Sequence, residues 1–239
     1  MNRQAVNPYL PSWEYIPDGE PHVFNGRVYV YGSHDRFNAP IFCVNDYVCW
    51  SAPVEDLSEW RYEGVIYRKK QDPKNPLGYH LLFAPDVCQG PDGRYYLYYA
   101  FDFLGIMSVA VCDTPAGEYK FLGHIHYADG TLWGRRRGDQ LPFDPGVLLD
   151  DDGRVWLYSG FYNAVPAILT GGHKLRCDGG TVLELEKDMV TIKTEPRVIF
   201  PKKGPGAFQG HEFFEASSIR KEGKTYIFVY SSRHNHELC

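Results

Sequence analysis

Four times along the chain an acidic residue is followed, seven to nine residues later, by a turn glycine set between two runs of strand-forming residues. Asp18 leads into GEPHVFNGRVYVYGS, Asp86 into VCQGPDGRYYLYYA, Asp144 into PGVLLDDDGRVWLYSG and Glu215 into ASSIRKEGKTYIFVYSS. The turn glycines Gly26, Gly93, Gly153 and Gly223 lie 60–70 residues apart. Apolar runs of period two on either side of an Asn-Gly or Asp-Gly pair are a strong hairpin signal. One hairpin per long repeat predicts a β-propeller, in which each repeat is a four-stranded blade set round a central axis. The repeat exceeds the roughly 40–50 residues of common propeller units, so the blades should carry long loops.

The blades are read as 18–80, 81–140, 141–208 and from 210 onward, after a Pro- and aromatic-rich strap over residues 1–17. No linker or low-complexity stretch interrupts them, and residues 1–239 read as one all-β domain. Three and a half to four blades do not close a ring. An open ring presents strand edges that invite self-association. By the one-blade-per-repeat logic, closure at five blades needs roughly 60–100 further residues. The chain is therefore expected to be C-terminally truncated, and less stable than a version extended by one to two blades.

Net charge is −5, which argues against nucleic acid or an anionic membrane surface as partner. No apolar run approaches a membrane span. The N-terminal MNRQAVNPYLPSW lacks the apolar stretch of a secretory signal, so a cytoplasmic location is the default expectation. The six cysteines form no C-x-x-C pair and give no zinc site; they read as buried free thiols. Aromatic residues make up 15% of the chain, which suits strands and also platforms for stacking sugars.

The repeated acids carry the chemistry. If each sits at the start of the innermost strand of its blade, all point toward one end of the axis. Gathering like charges raises some of their pKa values and provides an acid and a base. Taken singly, Asp18, Asp86 and Asp144 also read as ordinary turn residues. Glu215 does not, because Glu is a poor turn residue and it lies between Phe214 and Ala216. Asp92, Asp150, Asp151 and Asp152 fall at hairpin tips and read as structural.

With these motifs in place, the sequence resembles the glycoside hydrolases of family 43, five-bladed propellers acting on xylose- and arabinose-containing polysaccharides. The resemblance is carried by NPYLPSWEYIPDGEPHVFNGRVYVYGSHD, FAPDV with GRYYLYYA, FDPGVLLDDDGRVWLYSG, LELEKDMVTI and FFEASSIRKEGKTYIFVYSS. It implies an inverting glycosidase, of β-xylosidase or α-L-arabinofuranosidase type, acting on an oligosaccharide or polysaccharide. Asp18 would be the general base, Glu215 the general acid, and Asp144 the residue that orients the acid and raises its pKa by like-charge repulsion. The two reacting carboxyls would lie about 6.5–9.5 Å apart to admit a water. Asp86, Phe83 and His34 are expected to line the sugar subsite. The usual blade-one motif has Asp followed by Pro, whereas here Asp18 is followed by Gly19. The resemblance implies no required cofactor, allows a structural calcium on the propeller axis, and expects the fifth blade with its axial histidine to be missing. Two alternatives stand beside it: a fructan-type five-bladed glycosidase, and a carbohydrate-binding or inactive propeller fragment.

Overall fold

The computed structural model describes residues 7–203, 208–234 and 237–238. It is almost entirely β-structure, organised as four sheets in chain order. The first is a meander of β1 (Glu20–Phe24), β2 (Arg27–Tyr31), β3 (Tyr47–Pro53) and β4 (Arg61–Tyr67). The second is β5 (Asp86–Gln89), β6 (Tyr95–Ala100), β7 (Met107–Cys112) and β8 (Lys120–His124). A two-residue strand, β9 (His126–Tyr127), then crosses to the third sheet. That sheet contains β10 (Gly146–Leu149), β11 (Val155–Phe161), β12 (Gly179–Leu185), β13 (Thr191–Ile192) and β14 (Arg197–Pro201). The fourth is β15 (Phe213–Glu222), β16 (Thr225–His234) and β17 (Glu237–Leu238). The sheets match the blades expected from the repeat, with β9 as the one exchange between neighbours.

The turn chemistry explains each hairpin. Asn25 and Gly26 both adopt positive φ, as a two-residue type I′ turn requires, and they pin Phe24 opposite Arg27. The second and third blades use a longer tip. Gly90 and Asp150 each donate their amides across to the carbonyls of Arg94 and Arg154, at 2.7 and 2.8 Å. Asp92 and Asp152 then accept from the same arginines through Oδ1 and Oδ2, so both tip acids are structural.

The core lies between blades. Tyr29, Tyr31, Tyr47 and Tyr67 of the first pack against Leu97, Tyr99 and Phe101 of the second. Tyr98, Met107 and Val109 of the second pack against Val147, Leu157 and Leu183 of the third, with Trp133 between them. Rings this large and fully buried each contribute about 1.5–3 kcal/mol. Five of the six cysteines are free, four of them buried; Cys239 lies outside the described residues.

The first strands of the blades meet at the axis. β10 and β15 approach so closely that a Cβ on Gly146 would fall 2.6 Å from the Ser217 carbonyl oxygen. On the far side of the fourth blade, β17 pairs with Arg233 and His234 of β16. Among the described residues, the outer edge of β16 from Thr225 to Ser232 has no partner strand, and Tyr226, Ile227 and Val229 on it are exposed.

Candidate active site

Three of the four repeated acids come together at one end of the axis. Asp18, Asp144 and Glu215 line a single hollow of roughly 330 Å3, with Asp35 as a fourth carboxylate. The remaining wall is largely phenylalanine: Phe42, Phe83, Phe103, Phe143, Phe161 and Phe214.

Local backbone geometry aims each acid. Asp18 and Asp144 adopt left-handed φ values of 56° and 46°, a conformation Asp tolerates better than most residues. Both acids sit at bends in the backbone, and the bend is what delivers the carboxylate. Asp18 ends the strap, and its Oδ2 accepts a bond of 2.7 Å from Ser33 Oγ. The strap is tied down behind it. Trp50 Nε1 donates to Glu14 at 2.7 Å, and the Asp35 amide donates to the Tyr15 carbonyl at 2.9 Å. Asp144 is fixed through its neighbour Phe143, whose amide and carbonyl both bond Ser159 Oγ at 2.8 and 2.7 Å.

Glu215 is aimed differently. It sits within β15, where the pairing with β16 shifts register on both sides of it, and Ala216 beside it has φ 61°. A bulge of this kind bends the strand and turns a side chain that regular alternation would send elsewhere. Three residues that line the hollow, Asp18, Cys43 and Asp144, hold left-handed conformations, and Ala216 next to Glu215 is a fourth. Such conformations cost of order 1–3 kcal/mol each and persist where the surroundings hold them.

The electrostatics separate the acids. Glu215 is pushed up to about 7, first by burial and then by the Asp18 charge. Asp144 is held well above the usual carboxylate range by burial, with Glu215 and Asp18 adding to it; only the bond from the Ala216 amide, at 3.1 Å, favours its charged form. Asp144 and Glu215 therefore act on each other as like charges in a buried site, each made harder to ionise by the other's charge. Like-charge repulsion between Asp144 and Glu215 was expected; burial is the first cause of the raised Glu215, the Asp18 charge adds to it, and the repulsion with Glu215 is part of what holds Asp144 up. What Asp144 does supply is a hydrogen bond to the peptide unit next to Glu215, which fixes the bulge.

The expected subsite residues divide. Phe83 lines the hollow. Asp86 does not: it is fully buried deeper on the axis, where it accepts from the Val147 amide at 2.6 Å and lies 2.6 Å from His22 Nε2. His34 does not line it either. Its Nε2 lies 3.0 Å from Glu14 and its Nδ1 2.8 Å from the Asp46 carbonyl, so it braces the strap. Its neighbour Asp35 takes the wall position, with Oδ1 accepting from the Cys43 amide at 2.5 Å. Sequence reasoning missed Asp35 and most of the phenylalanines. A signal existed for three of the rings, because Phe83, Phe143 and Phe214 each stand one to three residues before a repeated acid.

An axial calcium would need hard oxygen donors, six to eight of them. Among the described residues the nearest set is Glu20, His22 and Asp86, whose donor atoms lie within 4.8 Å of one another. Glu20 already accepts from Arg220 and from Ser218 Oγ, and both oxygens of Asp86 are engaged. With two carboxylates, one imidazole and a guanidinium among them, the residues do not fit that ion. A larger hollow of roughly 690 Å3 opens beyond this cluster, at the opposite end of the axis around His22, Arg220 and Lys221. Its one carboxylate, Asp151, faces no second acid there.

Fold and site together define a propeller with a carboxyl-lined, phenylalanine-walled hollow at one end of its axis. The family model for glycosyl hydrolases family 43 matches residues 17–237, and the chain belongs to that family. It is 60% identical, over its whole length, to a xylosidase/arabinosidase of Thermoclostridium stercorarium, of which it covers 49%. A xylosidase/arabinosidase of Bacteroides ovatus is 30% identical over 97% of the chain and 74% of that protein. Among solved structures, a family 43 β-xylosidase/α-arabinofuranosidase from a compost metagenome, in complex with xylotriose and calcium-free, superposes with a TM-score of 0.69. It is 27% identical over 96% of this chain and 74% of that one. The chain thus spans about half the length of the Thermoclostridium relative.

Proposed function

We propose that this hollow hydrolyses terminal xylose or arabinofuranose residues of oligosaccharides or polysaccharides, with inversion at the anomeric carbon. The observation that carries the reading is the pairing of Glu215, pushed up to about 7, with Asp18 in one cavity. An inverting glycosidase needs a protonated carboxyl on the leaving-group side and a charged one on the water side. Asp18 takes the proton of a water as it attacks the anomeric carbon, and Glu215 gives its proton to the departing oxygen in the same step. Asp144 orients the acid through the Ala216 amide. The phenylalanine wall keeps bulk water away and is itself a source of the desolvation that raises Glu215. A volume of roughly 330 Å3 lies at the small end of ligand pockets, suited to one terminal sugar rather than a threaded chain. The chemistry uses water and two carboxyls and requires no cofactor. The pentose assignment is supported by the names of the relatives, xylosidase/arabinosidase in both cases.

Nitrophenyl β-xyloside and α-L-arabinofuranoside test the reading. Hydrolysis of one or both is expected, and the rate should fall as pH rises through about 7, because Glu215 then loses the proton it must deliver. Failure to hydrolyse either substrate, or a rate still rising at pH 9, contradicts it. Stability follows the same proton. The folded protein holds Glu215 protonated above its ordinary 4.5, so the stability linked to it is full below 4.5 and lost as pH rises through about 7. The Glu215→Gln variant should therefore melt higher than wild type at pH 8 and close to it at pH 4, by calorimetry at both values.

A further inference from the structure

Asp86, the repeated acid that lies outside the hollow, and its neighbours form a hydrogen-bonded hub that joins the four blades. Arg220 and Ser218 of β15 both donate to Glu20 of β1, Ser218 at 2.7 Å. Arg220 also donates to the Pro21 carbonyl at 2.7 Å, and its Nη2 lies 3.5 Å from His22 Nε2. His22 Nε2 lies 2.6 Å from Asp86 Oδ1 of β5, and Asp86 Oδ2 accepts the Val147 amide of β10 at 2.6 Å. Blade four is thereby linked to blade one, blade one to blade two, and blade two to blade three.

The placement gives the hub a purpose. Asp18 lies two residues before Glu20, Asp144 three before Val147, and Glu215 three before Ser218. Asp18, Asp144 and Glu215 are therefore each carried at or beside a strand start that the hub ties to the others. The contact that matters most spans 200 residues, because Arg220 and Glu20 set blade four against blade one. Those are the two blades that carry the acid and the base.

We propose that Arg220 is the built-in cation of this hub, a positioning residue that does in protein what a bound metal would do for Glu20, His22 and Asp86, and so sets the spacing of Asp18 and Glu215. The kinetic part rests on the glycosidase reading above; the stability part does not. Arg220 is partly exposed to the larger hollow, so free guanidinium ion can reach its place when the side chain is removed.

The test compares the whole chain with Arg220→Ala, Arg220→Lys and Glu20→Gln. The readouts are kcat and KM on the nitrophenyl pentosides and the melting temperature, each with and without EDTA and with millimolar guanidinium chloride. Misplacing reacting groups by about 1 Å costs about 10²-fold, so kcat of Arg220→Ala should fall by that order with KM little changed. Guanidinium should restore part of both kcat and melting temperature in Arg220→Ala and none in Glu20→Gln, where the acceptor charge is gone. Wild type should be indifferent to EDTA, and Arg220→Lys should fall between wild type and Arg220→Ala. Wild-type kcat and melting temperature in Arg220→Ala overturn the proposal. So does a lowered melting temperature with intact kcat, or a wild type that EDTA destabilises. If Arg220→Ala does not fold, Arg220→Lys decides: a kcat equal to wild type overturns it. If wild type hydrolyses neither pentoside, the glycosidase reading fails, and the melting temperatures alone decide the hub.

Discussion

Glu215→Gln should keep the fold and lose about 10²–10⁴-fold in kcat on a natural disaccharide, where the leaving group is a sugar alkoxide that needs a proton. The loss should shrink steeply as the leaving group improves. A dinitrophenolate departs without protonation, so on an aryl glycoside of that kind the variant should approach wild type. This dependence separates a general acid from a residue that merely shapes the hollow, because a shape defect would lower both rates alike. The basis is that Glu215 is pushed up to about 7 by burial in the phenylalanine-walled hollow and by Asp18, and is turned into the cavity by the register shift of β15. Steady-state kinetics on a series of leaving groups makes the measurement. An equal loss on every substrate would remove Glu215 from the role of acid.

Asp18→Asn should lose about as much, 10²–10⁴-fold, but by the same factor whatever the leaving group. Asn cannot take a proton from water, and the attack on the anomeric carbon is impaired however easily the other bond breaks. The change is nearly isosteric, so the bond from Ser33 Oγ has an acceptor still and the left-handed backbone at residue 18 remains tolerable to Asn. Removing the Asp18 charge also removes one of the two causes that raise Glu215, so the residual activity should fall off at lower pH than in wild type. A variant with near-wild-type kcat, or with its alkaline limb unmoved, would contradict the assignment.

Much of this was legible in the chain itself, for reasons that can be named. Hairpins announce themselves locally: Asn25-Gly26 and the Asp-Gly tips need left-handed backbone, and their flanks alternate. The convergence of Asp18, Asp144 and Glu215 followed from repetition, since equivalent places in successive blades face one axis. What failed was anything decided by a single residue's direction or by a distant partner. His34 and Asp35 are adjacent, yet one braces the strap and the other lines the hollow. Asp86 obeys the repeat in sequence but sits deeper, where His22 and the Val147 amide hold it. Arg220 and Glu20 are 200 residues apart and leave no local pattern. The leading cause of the Glu215 shift was also out of reach, because it depends on how deeply Glu215 itself is buried.

The account turns on Asp18 and Glu215 acting from opposite faces of one sugar. Proton NMR recorded in the first minutes of xyloside or arabinofuranoside hydrolysis tests this directly, by the configuration of the sugar first released. A β-xyloside should yield α-xylose before mutarotation mixes the anomers, or an α-L-arabinofuranoside the β-anomer. First release of the anomer that matches the substrate would mean a covalent intermediate and a carboxylate nucleophile, and would contradict the assignment of Asp18 as a base acting through water.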